Sequence, residues 1–165
     1  MFALGFQTPI RFVLLKSFGT FALLVTLASC CNCKTPPANA LLSDFRQEIG
    51  APAPPAKMAA GQTFLLRDVT VKNTGQQTWT ASSKTQVELT YNWMTPDGKL
   101  AEHGVVTTLP ADVPPGQSLS VVATITAPEK PGNYVIRFTM IAEGIAWFSD
   151  MGGQTVEYPV SVVPQ

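Results

Sequence analysis

The chain reads as an all-β protein in which two antiparallel sheets pack face to face. Three observations predict this. After residue 60, strand-like stretches recur every 10–20 residues, and most of them alternate apolar with polar side chains. Gly, Pro and Asn turns separate them, and no helical period of useful length runs through the same region. Such alternation gives each strand one face for a core and one for water, so about seven strands make a sandwich.

The elements follow in chain order. Arg11 and Lys16 precede the apolar run Phe18–Ala28, the pattern of a secretory signal peptide over residues 1–29. A bilayer-spanning helix needs about 20 apolar residues, and the two basic residues interrupt any longer run. The run closes in Leu27-Ala28-Ser29-Cys30, which resembles the lipobox of bacterial lipoproteins. The resemblance implies a diacylglycerol on Cys30, which becomes the first residue of the mature chain, and a lipid attachment to a membrane. The residue after Cys30 is Cys31 rather than Asp, which in Gram-negative sorting points to the outer membrane, facing the periplasm. Cys31 and Cys33 are one residue apart, too close for a good disulfide, with no second ligand cluster downstream, so neither is assigned a role.

Residues 30–59 read as the lipidated N-terminus and a Pro/Ala-rich tether, because Pro36, Pro37, Pro52, Pro54 and Pro55 favour extended backbone over a packed core. Inside it, Phe45–Ile49 is patterned enough for a first edge strand. The sandwich is placed at 60–165. Phe64–Asn73 opens it, with Arg67 and Asp68 interrupting both faces as a bulge would. Val87, Leu89, Tyr91 and Trp93 then alternate with Gln86, Glu88, Thr90 and Asn92, which places Trp93 in the core and the polar set toward water. Thr95–Lys99 supplies Pro, Asp and Gly in hairpin order. The period returns in Leu119–Ile125, in Tyr134–Met140 and in Val156–Val162, where Pro159 points to a sheet edge. These features together describe an Ig-like antiparallel β-sandwich.

Composition excludes several functions. With 165 residues, 11 basic and 11 acidic side chains and no basic block, the chain has no footprint for nucleic acid. Loss of residues 1–29 would leave two more acidic than basic residues, so lipid rather than charge would hold it at a membrane. One His and three Cys confined to positions 30–33 call for no metal and no cofactor. His103 stands without a Ser elbow or phosphate loop, and Glu102 and Asp112 are carboxylates that sequence alone does not bring together. No catalytic residue is assigned.

Val69-Thr70-Val71-Lys72-Asn73-Thr74-Gly75 and then Trp79 resemble the opening of bacterial Ig-like modules, and of the four-tryptophan Ig-like domains of autophagy cargo receptors. Pro115-Gly116-Gln117-Ser118 and Ala127–Tyr134 resemble their next two turns, so the match covers roughly residues 60–163; this chain has three Trp. The resemblance implies a sandwich used as a scaffold, spacer or binding surface. The segment Glu143–Asp150 resembles the bacterial versions more closely, some of which are similar to accessory modules on glycan-handling enzymes. Tyr134, after Pro131-Gly132, takes the place of a tyrosine corner.

The candidate binding residues are Trp147, Phe148 and Asp150, with Trp79. Trp147 and Phe148 are adjacent, so on a strand they face opposite sides and one must avoid the core. An outward aromatic beside Asp150, on a loop loosened by Gly152 and Gly153, can stack on a sugar ring while the acid takes a hydroxyl. The alternative is a bulged strand whose second aromatic packs under a neighbouring loop. The expectation is a non-enzymatic, lipid-anchored envelope protein binding a protein partner or a glycan through an exposed sheet edge or the loop around Trp147. A protease inhibitor presenting Lys99, or a purely structural accessory subunit, is the alternative.

Overall fold

The computed structural model describes residues 45–165. The leader at 1–29, Cys30 with its lipobox, Cys31, Cys33 and the first part of the tether lie outside the described residues.

Ten strands follow in order: β1 (Gln47–Gly50), β2 (Lys57–Ala59), β3 (Thr63–Asn73), β4 (Val87–Met94), β5 (Leu100–His103), β6 (Thr107–Thr108), β7 (Ser118–Thr126), β8 (Gly132–Ala142), β9 (Ala146–Trp147) and β10 (Val156–Val163). They form two sheets. One has the order β1-β3-β7; the other runs β2-β10-β8-β4-β5, with β6 also on β4 and β9 also on β8. Every ladder is antiparallel except β2 with β10. The all-β Ig-like sandwich read from the sequence is the fold of the chain.

The alternating residues meet between the sheets. Val69, Val71, Val121, Ala123 and Ile125 come from one side; Leu89, Tyr91, Trp93, Ile136, Phe138 and Met140 come from the other. The register of β3 on β7 slips between Leu66 and Val69, and Asp68 takes a φ of 59°, which is the bulge expected at Arg67-Asp68. The hairpin after β4 closes as its residues dictate. Thr95 N–H donates to Lys99 O and Gly98 N–H to Thr95 O, with Gly98 at a φ of 82°. Tyr134 donates its hydroxyl to Lys130 O at 2.9 Å, the tyrosine corner. Ser161 N–H donates to Ala56 O, so the nitrogen of Pro159, two residues earlier, faces the same side, where β2 has not yet begun to pair.

Two expectations need correction. The sandwich begins before residue 60: β1 pairs with β3 through Gln47↔Asn73 to Gly50↔Thr70, and β2 pairs with β10. The physical reason is Gln47, whose buried amide sits where β8 has run past the end of β10. Its Oε1 accepts from Met140 N–H at 2.8 Å and its Nε2 donates to Thr139 Oγ1, so one side chain replaces a missing strand. The second correction concerns β4, which is buried along its whole length rather than on one face. The chain after the hairpin returns over its polar side: Glu88 accepts from Thr108 Oγ1, Thr90 Oγ1 donates to Val105 O, and Asn92 meets His103. Buried polar groups are tolerable because each has a partner.

Tyr91 carries a pH dependence. Its hydroxyl accepts from Thr126 N–H across the sandwich, and burial pushes the phenol above its ordinary value of 10.0. The fold therefore keeps the proton that an unfolded chain gives up first, and the stabilisation is present below pH 10 and lost as pH rises from there toward the folded value. Melting temperatures taken from pH 8 to pH 11 should fall across that alkaline window. In Tyr91→Phe the fall should be smaller, from a lower starting point at neutral pH.

Candidate functional site

The residues singled out around position 148 separate into two sets. Phe148 follows Trp147 out of β9 and turns inward, its N–H on Met140 O. Only 1% of it is exposed, and it packs edge-to-face on Phe45 and on Trp79 at ring distances of 5.3 and 5.6 Å. Trp79 is likewise 2% exposed, its backbone paired with Val113. Neither ring offers a face to a ligand, which corrects their assignment as binding residues: both close one end of the core. Asn73, from the Asn-Thr-Gly segment, ties that end together, donating to Gln77 O and Val113 O and accepting from Gly75 N–H. That signature is structural.

Trp147 and Asp150 belong to the other set. Trp147 pairs by its backbone with Ile141 of β8 and remains half-buried on the outer surface of the larger sheet. Its ring stacks on His103 at 4.8 Å with planes 20° apart. Beneath them the ladders align a polar row across four strands: His103 opposite Asn92, Asn92 opposite Arg137, and Arg137 opposite Glu157. His103 Nδ1 and Asn92 Oδ1 are 2.8 Å apart, and Arg137 Nε donates to Glu157 Oε1 at 2.6 Å. The turn after Trp147 is wound tightly, with Asp150 N–H on Trp147 O and Gly153 N–H on Phe148 O. Ser149 N–H is held by Thr139 Oγ1. This brings the exposed Asp150 over the row.

Trp147, His103, Asn92, Arg137, Ser149 and Asp150 line a hollow of about 130 Å³. Sites that enclose a drug-sized ligand run to ~300–1,000 Å³, so this one admits a single ring or the end of a side chain. It offers an aromatic wall, a guanidinium, a carboxylate and an amide, the mixture that suits a hydroxyl-rich group. Trp147 and Asp150 were candidates in the sequence, whereas His103 and Arg137, which line the same hollow, were not among the candidate binding residues. The signal for Arg137 was its outward phase between the buried Ile136 and Phe138.

The remaining candidates lie elsewhere. Lys99 pairs with Asp97 at 2.7 Å within the short hairpin, and that ammonium, with the Thr95 hydroxyl, holds the Asp97 carboxyl below its usual range. Asp112 accepts from Ala81 N–H, whereas Glu102 stands on β5 opposite Trp93.

Among solved structures, the CARDB domain of a Pyrococcus furiosus protein is 18% identical, over 73% of this chain and 94% of that one, with a TM-score of 0.38. The sporulation control protein of Bacillus subtilis is 13% identical over 73% of this chain and 50% of its own, with a TM-score of 0.46. A β-glucosidase of Listeria innocua is 12% identical over 71% of this chain and 16% of its own, with a TM-score of 0.39. No curated protein sequence matches the chain. A family model matches residues 55–152, from the approach to β2 to the loop beyond Trp147. The chain therefore belongs to the family described as the Ig-like domain from next to BRCA1 gene.

Proposed function

We propose that the chain is a non-enzymatic binding protein, lipid-anchored at Cys30 in the bacterial envelope, whose Ig-like domain holds a glycan at the Trp147 hollow. The observation that carries the reading is Trp147 stacked on His103 above a polar row, with Asp150 and Arg137 at its margin. A sugar ring presents an apolar face to an aromatic and hydroxyls to charged neighbours, which is the pairing this hollow provides. The small volume fits one sugar unit of a longer chain, with the rest lying over the open surface. His103 is committed to Trp147 and to Asn92, a supporting rather than a proton-transferring position. The leader and lipobox support a lipid anchor in the envelope, and Cys31 after the lipidated Cys30 supports the outer membrane, facing the periplasm, as the place where such a module meets envelope polysaccharide.

Two measurements test this. Trp147→Ser should weaken binding to soluble peptidoglycan or envelope polysaccharide fragments by tenfold or more, with the melting temperature little changed because the ring is outside the core. Binding equal to the parent's removes the hollow from consideration. Cys30→Ala should leave the protein as unprocessed precursor or release it from membranes. A variant that is processed and sediments with membranes like the parent refutes the anchor.

A further inference from the structure

The strongest feature outside the hollow is the free side of β7. Sheet edges invite pairing with another chain, and proteins usually blunt them with short strands, charges or prolines. Three of the four edges here are blunted. β1 has four residues, including Glu48; β2 has three and follows Pro52, Pro54 and Pro55; β5 has four and carries Glu102 and His103. β7 closes the smaller sheet with nine residues, Ser-Leu-Ser-Val-Val-Ala-Thr-Ile-Thr, none of them charged and none Pro or Gly.

The direction of its peptide groups follows from its neighbours. Ala127 N–H donates to Gln62 O and Gln117 O accepts from Asn73 N–H, both toward the β3 side. Odd-numbered residues therefore serve the β3 ladder, and even-numbered ones turn their N–H and C=O to the open side. Thr126 confirms the phase: its N–H meets the Tyr91 hydroxyl and its C=O takes Trp93 Nε1–H. Ser118, Ser120, Val122 and Thr124 are left with outward groups that no strand pairs among the described residues. β6 passes alongside β7 without joining its sheet, preceded by the exposed Val105 and Val106, and Val122 itself is 44% exposed.

We propose that β7 is a homodimer interface, pairing antiparallel with β7 of a second copy about a two-fold axis at Val122. The strand is self-complementary in that register. Val122 is its middle residue, so Val122 meets Val122, Ser120 meets Thr124 and Val121 meets Ala123. The Val122 pair and the Ser120–Thr124 pairs can exchange both backbone hydrogen bonds, whereas Thr126 is already held by Tyr91 and Trp93. No like charges come together, and the β-branched or small side chains suit cross-strand packing. The same patch serves both subunits, as a two-fold contact requires, and the two three-stranded sheets become one of six. A second copy is favoured over an unrelated partner because the strand matches itself residue by residue.

The test is sedimentation of the full-length chain in detergent solution from about 1 µM to 300 µM, a span that reads weak association. The parent should pass from monomer to dimer. Val122→Lys, which sets two ammonium groups face to face at the axis, should raise the dissociation constant tenfold or more. Val122→Thr should leave it within a few-fold, and both variants should melt close to the parent because position 122 points outward. A parent that stays monomeric overturns the proposal and leaves the edge to a strand of another protein. A dimer indifferent to Val122→Lys overturns it equally, by placing the interface elsewhere. Glycan binding at Trp147 is read separately, so neither result depends on it.

Discussion

Trp93→Ala should destabilise the domain by about 3–5 kcal/mol, the cost of emptying a large aromatic site in a core that relaxes only in part. Trp93 is 1% exposed and does more than fill space. Its ring lies edge-on to Tyr91 and Tyr134 at 6.0 and 6.1 Å, and Nε1–H donates to Thr126 O at 2.9 Å. The truncation thus removes packing within one sheet and a hydrogen bond to the other, leaving a carbonyl to find water or remain unpaired. A loss of this size shifts the thermal midpoint by about 10 °C or more, against a total stability of ~5–15 kcal/mol. Trp93→Phe should lose distinctly less, since most of the volume stays. A midpoint unchanged in Trp93→Ala would contradict the assigned facing of β4.

Gly104→Ala should cost about 1–3 kcal/mol although it adds a single methyl group at a residue that is only partly buried. Gly104 lies directly against the Tyr91 ring: a Cβ there would meet ring carbons at 2.2 and 2.4 Å. An aromatic ring enclosed in a packed core cannot swing aside like the tip of a lysine. Either Tyr91 moves, breaking its contact with Thr126 N–H, or the backbone at 104 moves, straining its own hydrogen bond to Tyr91 O. Gly98→Ala is the control, because no atom lies within 4 Å of a Cβ there and only its positive φ is strained. Thermal melts should rank the two, with Gly104→Ala the more harmful. The reverse order would mean that the Tyr91 site is looser than its geometry.

Local pattern carried much of the fold, and distance in sequence set the limit. Trp93, Tyr134, the Thr95–Lys99 hairpin and the bulge at Arg67-Asp68 all declare themselves through a few neighbouring residues, and each is where its neighbours place it. Gln47 does not. Its surroundings are rich in Pro and Ala, and its partners, Thr139 and Met140, lie more than ninety positions along the chain. Glu88, Thr90 and Asn92 read as solvent-facing because polar residues in an alternating strand usually are. Their burial depends on a return of the chain that no period announces. The candidate site divides in the same way. Alternation was enough to send Trp147 and Phe148 to opposite sides, but which side was core depended on Phe45 and Trp79. The stack of Trp147 on His103 joins two segments that share no local signal.

The parallel pairing of β2 with β10 has a mechanical meaning. Consider tension carried along the chain into Lys57 and out at Val163. The two strands run the same way, so they are drawn from opposite ends, and Lys57↔Ser161, Met58↔Val162 and Ala59↔Val163 are sheared together. The bonds from Ala60 N–H to Val163 O and from Ser161 N–H to Ala56 O share that load rather than failing in turn. An antiparallel pair pulled at adjacent ends would unzip one rung at a time. A chain pulled from both ends loads the β1–β3 ladder first; once β1 has come away, the β2–β10 pair resists as a clamp, and the lifetime of what remains is set by the barrier to sliding one short strand past the other.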